Sequence, residues 1–299
     1  MNTLFAKLIQ CFAIIFLLLA TAKAEPLLGA PCAIEVENKQ VGAGSIEYMK
    51  VGRGMPVVLL HGLFAQKEQW SEVACELSSA GFMVIAPDLP GYGKSIDFPV
   101  EDYRLENQVG LLHRFIDLLE LRKIHIAGSS MGGAIASMYV NKYPGQVYSL
   151  AFVGSPLGIG PWGVKVKDAL SQGINPFIPI TIDQFNLEME LLFYKPPEVP
   201  ETIRDQLLTD YQQSNQHYQQ VWNIVNLYMN QITKSSPARI PTFIIWGKQD
   251  EIFTVGGVGA LQLKYPGNQH YIMPDAGHLL MLEKPKEVSL RYIGFLKRR

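Results

Sequence analysis

The apolar residues of this chain follow two alternating patterns. Short, mainly apolar runs of the kind found in strands covered on both faces occur at residues 57–60, 82–86, 147–153, 242–247 and 270–273. Apolar residues with helical spacing occur between and after these runs, at residues 66–80, 105–121, 258–264 and 286–297. The repeated order of strand, helix and strand predicts a parallel sheet with right-handed crossovers, and hence an α/β fold.

Two further regions complete the predicted sheet. Residues 33–37 and 45–51 are expected to pair as an antiparallel hairpin at its edge. A short apolar run from Lys123 ends in Gly128, and a helix rich in Ala and Met begins at Met131. The chain therefore passes from strand to helix within about one residue, at Ser130.

A long excursion separates the sixth and seventh predicted strands. Residues 156–237 combine helical segments with many Gly and Pro residues, and the excursion is too long for a structureless loop inside a domain. We therefore expect a helical cap over one end of the sheet, between core segments 25–155 and 238–299. A helical appendage at the side of the sheet is the alternative.

Residues 1–24 differ from the rest of the chain. Lys7 precedes an apolar run, and Ala22-Lys23-Ala24 has the form of a cleavage site, which predicts a secretory signal peptide and an exported, periplasmic or secreted protein. The alternative is an uncleaved membrane anchor over residues 4–22. After cleavage Cys32 and Cys75 remain; they could pair in an oxidising compartment, but two cysteines are also typical of buried thiols.

Composition and charge narrow the function classes. The chain has 299 residues, of which 48% are hydrophobic, and a formal net charge of −1. It can therefore bury a large core, and it has no basic footprint for nucleic acid. The histidines at 113, 125, 217 and 270 lack the spacing of metal ligands, so we expect no metal site and no cofactor. No sequence feature fixes the oligomeric state.

Three residues whose side chains can act in catalysis follow predicted strands. Ser130 lies in a G-x-S-x-G pattern, which is typical of a nucleophile elbow, and Asp250 and His278 follow later strands. Open parallel sheets bind ligands at the carboxyl ends of their strands, so all three are expected at one edge. Ser129 is the alternative nucleophile, and a Gly/Ser turn without chemistry is the alternative for the whole motif.

These motifs resemble the α/β-hydrolase fold superfamily, in particular its lipase and monoacylglycerol-lipase branch. The resemblance covers roughly residues 45–297. It rests on His61-Gly62, Asp88-Leu89-Pro90-Gly91-Tyr92-Gly93, Gly128-Ser129-Ser130-Met131-Gly132-Gly133, Trp246-Gly247-Lys248-Gln249-Asp250 and Gly277-His278. It implies a mostly parallel eight-stranded sheet flanked by helices, with a helical cap inserted after strand 6.

The resemblance also implies a reaction. A serine hydrolase of this kind would cleave carboxylic esters through an acyl-enzyme on Ser130. His278 would act as the general base and then as the general acid, and Asp250 would orient the imidazole ring. Monoacylglycerols or other medium-chain carboxylic esters are the expected substrates, with contact to a membrane surface consistent with lipase action.

Backbone donors for the reaction are implied at two places. The N–H groups of Leu63 and Met131 would bind the oxyanion, and Phe64 is the nearest rival of Leu63. His61 and Gly62 would support the oxyanion loop, although His61 is also an alternative candidate for the general base.

Other functions are compatible with the same motifs. A carbon–carbon bond hydrolase and a cofactor-free haloperoxidase of the same fold use the same triad. A non-catalytic ligand-binding receptor that keeps the triad as a relic is an alternative from a different class.

Overall fold

A computed structural model gives the fold of residues 32–95, 97–236 and 238–298. Its strands are β1 (Glu35–Val41), β2 (Gly44–Val51), β3 (Met55–Leu60), β4 (Phe82–Pro87), β5 (Ile124–Ser130), β6 (Val147–Pro156), β7 (Thr242–Gly247) and β8 (Gln269–Met273). Its α-helices are α1 (Ser71–Ser79), α2 (Leu105–Leu118), α3 (Met131–Lys142), α4 (Val164–Ser171), α5 (Ile182–Leu192), α6 (Glu201–Gln213), α7 (Asn215–Asn226), α8 (Gln231–Lys234), α9 (Gly257–Lys264), α10 (Leu280–Glu283) and α11 (Pro285–Leu296). Short 3-10 helices occur at Lys67–Trp70, Val100–Tyr103 and Pro144–Gln146.

The strands form one sheet in the order β1-β2-β4-β3-β5-β6-β7-β8. Strands β3 to β8 run parallel, whereas β2 pairs antiparallel with both β1 and β4. This confirms the predicted mostly parallel, eight-stranded sheet of an α/β fold. The edge hairpin is longer than predicted because Val41 pairs with Gly44 across a two-residue turn. Such turns favour Gly at their first central position, where Gly42 has a φ of 62°.

The strand order reverses at β3, and this reversal brings the loop after β3 next to the corner at Ser130. Strand β4 lies on one side of β3 and β5 lies on the other, so the chain segments that leave β3 and β5 diverge and open a crevice. Leu60 of β3 and Gly128 of β5 pair at this end of the sheet. The loop that begins at His61 and the corner at Ser130 therefore lie side by side.

Alternate residues of the central strands pack on opposite faces of the sheet. Leu60 and Ile126 belong to a core that includes Phe115 of α2, whereas Leu59 and Ala127 belong to a second core on the side of α1 and α11. Both faces are therefore covered, as the mainly apolar runs predict.

Five helices, α4 to α8, occupy the chain between β6 and β7. This confirms the predicted helical insertion after the sixth strand. The strand itself continues three residues beyond its predicted end at Val153, so the predicted first residue of the cap, Pro156, is the last residue of β6. A proline can occupy this position because it lies at the end of the ladder, beside Ser130.

Two predicted helices differ from the structure by more than one residue. The segment predicted as one helix at 66–80 is a 3-10 turn followed by α1. Helix α2 ends at Leu118, before its predicted end, because Glu120 takes a left-handed φ of 57° and the N–H of Leu121 donates to the carbonyl of Ile116. The four-residue helix α10 was not predicted.

A disulfide joins Cys32 to Cys75, a pairing that the sequence left open. The two Cα atoms are 5.6 Å apart, and 43 positions separate the residues along the chain. The bond ties the segment before β1 to helix α1 on one face of the sheet.

The predicted signal peptide (1–24) and the alternative anchor (4–22) both lie outside the described residues. Among the helices that are described, none has the length and apolar character needed to cross a membrane.

Candidate active site

Ser130 occupies a sharp corner between β5 and α3. Its backbone has a φ of 51° and a ψ of −118°, a conformation in which an L-residue is strained. Two glycines allow the corner to close: a Cβ on Gly128 would lie 2.2 Å from the carbonyl oxygen of Gly132, and one on Gly132 would lie 2.3 Å from that of Leu60. The corner therefore has the geometry that the G-x-S-x-G pattern predicts. Met131 follows at once as the first residue of α3.

Asp250 and His278 are in contact beyond the carboxyl ends of β7 and β8. His278 Nδ1 lies 3.0 Å from Asp250 Oδ2, and both side chains are buried. The N–H groups of Ile252 and Phe253 donate to the other oxygen, Oδ1, at 2.9 and 3.1 Å. The carboxylate therefore fixes the imidazole ring through Nδ1 and leaves Nε2 as the nitrogen that can exchange a proton with a nucleophile.

Ser155, near the end of β6, is a member of this group that sequence reasoning missed. Its hydroxyl donates to Asp250 Oδ2 at 2.6 Å, and its Oγ lies 2.9 Å from His278 Nδ1. The only available signal was its position just after a predicted strand, at the same sheet edge as the predicted triad.

Ser130 and His278 line the same cavity. The space between its lining residues, including open solvent at the mouth, is about 990 Å³. The inserted helices supply much of its apolar wall through Phe185, Met189, Leu192, Trp222 and Val225. The nucleophile and base candidates thus face one mainly apolar chamber.

The loop after β3 lies against the corner at Ser130. Ala65 N–H donates to the carbonyl of Gly62 at 3.3 Å, which closes a turn around Leu63 and Phe64, and Phe64 has a φ of 56°. A Cβ on Gly62 would lie 3.3 Å from the Cβ of Ser130. Leu63 and Met131 both line the cavity, as backbone donors to an oxyanion at Ser130 must do.

His61 links this loop to the loop after β4 through hydrogen bonds. Its Nε2 accepts the N–H of Leu89 at 2.9 Å, so the proton of the neutral ring is on Nδ1, which lies 2.8 Å from the carbonyl oxygen of Gly62. Burial lowers the pKa of His61 to about 4. Because both ring nitrogens are engaged, the contacts favour the predicted supporting role over that of a general base.

A buried ion network lies beyond His61, and sequence reasoning missed its lysine. Lys67 Nζ lies 2.9 Å from Asp88 Oδ2, 2.7 Å from Glu47 and 2.9 Å from Glu68. Asp88 also accepts the backbone N–H groups of Lys67 and Lys94, both at 2.7 Å. The network joins the end of the loop after β3 to the loop after β4.

The remaining candidates lie elsewhere. Ser129 is fully buried. His125 is buried at the opposite end of β5, where its Nδ1 lies 2.7 Å from Ser149 Oγ. Across the part of the chain that the structure describes, no group of three or more His, Cys, Asp or Glu side chains could hold a metal ion.

Comparison with known proteins gives the same fold. Mouse monoacylglycerol lipase ABHD6 is 30% identical over 267 residues, which cover 82% of this chain and 77% of that protein. Lipase 1 of Psychrobacter immobilis is 29% identical, covering 88% of this chain and 84% of that lipase. The structure of a bacterial membrane phospholipase A superposes with a TM-score of 0.78 at 25% identity, covering 96% of this chain and 91% of that one.

The family described as alpha/beta hydrolase fold matches residues 55–285, which contain Ser130, Asp250 and His278. The match covers well over half of the chain and agrees with the observed sheet order. The chain therefore belongs to the alpha/beta hydrolase fold family.

Proposed function

We propose that Ser130, His278 and Asp250 form a catalytic triad that cleaves its substrate through an acyl-enzyme. The chain is a carboxylic ester hydrolase, and the triad supplies its mechanism. The observation that carries the proposal is the 3.0 Å contact between His278 Nδ1 and Asp250 Oδ2, because His278 also lines the same cavity as Ser130.

Catalysis proceeds in two acyl-transfer steps. Ser130 Oγ attacks the ester carbonyl while His278 Nε2 accepts its proton, and the same proton then passes to the departing alcohol as the C–O bond breaks. Water attacks the resulting acyl-serine, again losing a proton to Nε2, and the acid leaves as the proton returns to Ser130. Asp250 stabilises the imidazolium that forms in each step.

The backbone N–H groups of Leu63 and Met131 bind the oxyanion of each tetrahedral intermediate. Donors of this kind are each worth about 3 kcal/mol of barrier. The hydrogen bonds of His61 and the ion network of Lys67 hold the loop that carries Leu63, so these side chains support the reaction without touching the substrate.

Monoacylglycerols or other medium-chain esters are the proposed substrates. The apolar wall of the cavity fits an acyl chain, and two relatives bear the names monoacylglycerol lipase and lipase.

We propose that the protein reaches such lipids after export, through the signal peptide predicted at residues 1–24. Mass analysis of protein from an exporting host should give a new N-terminus at Glu25. An intact Met1 in the membrane fraction would instead favour the anchor.

Turnover of p-nitrophenyl esters of graded chain length by the wild type and by Ser130→Ala tests the mechanism. We expect turnover that rises to an optimum at medium chain length and is abolished by the substitution. A fluorophosphonate should label Ser130, and labelling of another serine would overturn the assignment. Ligand binding without turnover would favour the receptor, and cleavage of carbon–carbon bonds in preference to esters would favour the rival hydrolase.

A further inference from the structure

Four polar side chains interrupt the apolar lining of the cavity, besides Ser130 and His278. They are Gln69, Glu188, Tyr211 and Asn226. An acyl chain needs none of them, because it makes no hydrogen bonds. Binding sites that are mostly apolar carry such groups to orient a polar part of the ligand.

Gln69 is the most unusual of the four. It lies in the 3-10 turn that follows the oxyanion loop, and its side chain is 1% exposed. Among the described residues, Gln69 is the only glutamine or asparagine in which both amide atoms are buried and neither makes a hydrogen bond within the protein. A buried amide without a protein partner lowers stability. Because Gln69 lines the cavity, a bound ligand can supply the missing hydrogen bonds.

Glu188 provides a second polar group from the opposite side, on inserted helix α5. It is 6% exposed, and the neighbouring lining residues on its helix are Phe185, Met189 and Leu192. Burial raises the pKa of Glu188 to about 8, and a hydrogen bond with Tyr211 opposes this shift in part. The carboxyl group is therefore protonated at neutral pH and can both donate and accept a hydrogen bond.

The lining contains neither Lys nor Arg, so nothing there would compensate an anionic group such as a phosphate. An amide and a neutral carboxyl group can each donate and accept a hydrogen bond. A hydroxyl group can also do both, so it is a suitable partner for either of them. We propose that Gln69 and Glu188 form a polar subsite that binds a hydroxyl-bearing, uncharged part of the ester substrate. This inference rests on the proposed ester hydrolysis and narrows its substrate class.

The hydroxyl could belong to the alcohol part of the ester, as in a glycerol monoester, or to a hydroxylated acyl chain. Three esters of equal chain length separate these sources: the 1-glyceryl ester, the methyl ester and the methyl ester of the hydroxylated acid. We expect the wild type to prefer one hydroxyl-bearing ester over the plain methyl ester in kcat/KM by about 10-fold or more. Gln69→Met and Glu188→Met should each lower that ratio by about 10-fold.

Two control variants sharpen the test. Glu188→Gln keeps a group that donates and accepts, so it should retain the preference that Glu188→Met loses. Gln66 is a buried glutamine immediately before the same turn, and it does not line the cavity. Gln66→Met should therefore leave the ratio unchanged. Because Gln69→Met removes a buried amide that has no partner in the protein, it should not lower the melting temperature. Glu188→Met also removes a hydrogen bond of Tyr211, so its turnover of the plain methyl ester shows that this variant is folded.

The outcomes separate this inference from the proposed function. Hydrolysis of all three esters at similar kcat/KM would overturn the hydroxyl subsite while leaving ester hydrolysis intact. A preference that survives in both Gln69→Met and Glu188→Met would overturn it as well. Failure of the wild type to hydrolyse any of the esters would overturn the proposed function and the subsite together.

Discussion

Ser155 donates a 2.6 Å hydrogen bond to the oxygen of Asp250 that also contacts His278. With the two backbone donors on Oδ1, the Asp250 carboxylate accepts four hydrogen bonds and has no freedom to rotate. Ser155 Oγ lies 2.9 Å from His278 Nδ1 as well, so the hydroxyl fixes the angle at which the acid meets the imidazole ring. Ser155 is thus a positioning residue for the proposed triad.

Ser155→Ala should lower kcat about 10-fold with little change in KM, because it loosens the acid–imidazole geometry without touching the substrate. Steady-state kinetics with a p-nitrophenyl ester measure both constants. Ser149→Ala is a matched control: Ser149 is equally buried on the same strand, but its hydroxyl contacts His125 at the far end of the sheet. Equal rates for Ser155→Ala and the wild type would contradict the positioning role.

His278→Ala and Asp250→Asn should each remove most of the rate, by roughly 10⁴-fold in kcat. The double variant should be little worse than His278→Ala, because the two groups act as a unit and neither works without the other. Single-turnover measurements of acylation give these rates without interference from product release. Independent losses that multiply in the double variant would argue against a shared mechanism.

The sequence predicted the sheet and the proposed triad because both depend on local signals. Apolar runs mark the buried strands, and the glycines around Ser130 are required by a close approach that only Gly permits. The predicted strand ends also placed Asp250 and His278 at the sheet edge where they meet.

Groups whose role comes from long-range packing could not be predicted. Gln69 and Glu188 lie far apart in the chain, and only the folded chain brings both to one cavity. Lys67 looks like an ordinary surface residue in sequence, although three carboxylates surround it in the structure. The end of β6 was predicted three residues too early, at Val153, because the neighbouring strand β5 extends the ladder to Pro156, beyond the apolar run.

The Cys32–Cys75 disulfide should contribute substantially to stability. A bond that closes a loop between residues with a sequence separation of 43 is worth up to about 4 kcal/mol through the entropy of the unfolded chain. Urea unfolding with and without dithiothreitol should show the loss on reduction. The variant Cys32→Ser/Cys75→Ser should start at the lower stability and show no response to the reductant. Identical urea midpoints for the oxidised and reduced wild type would contradict this expectation.

Glu188 should make the protein less stable as the pH rises. Its pKa is raised by burial from its usual value near 4.5 to about 8, so between these values the folded protein holds a proton that the unfolded chain releases. The stabilising effect of the protonated group is complete below about pH 4.5 and is lost as the pH rises towards 8. Glu188→Gln removes this dependence, and its gain in unfolding free energy over the wild type should be greater at pH 8 than at pH 5 by roughly 3 kcal/mol. Urea unfolding at the two pH values measures the difference. Glu190→Gln serves as the control, because Glu190 is exposed on the same helix. Equal gains for Glu188→Gln at both pH values would show that the Glu188 carboxyl is not held protonated in the cavity.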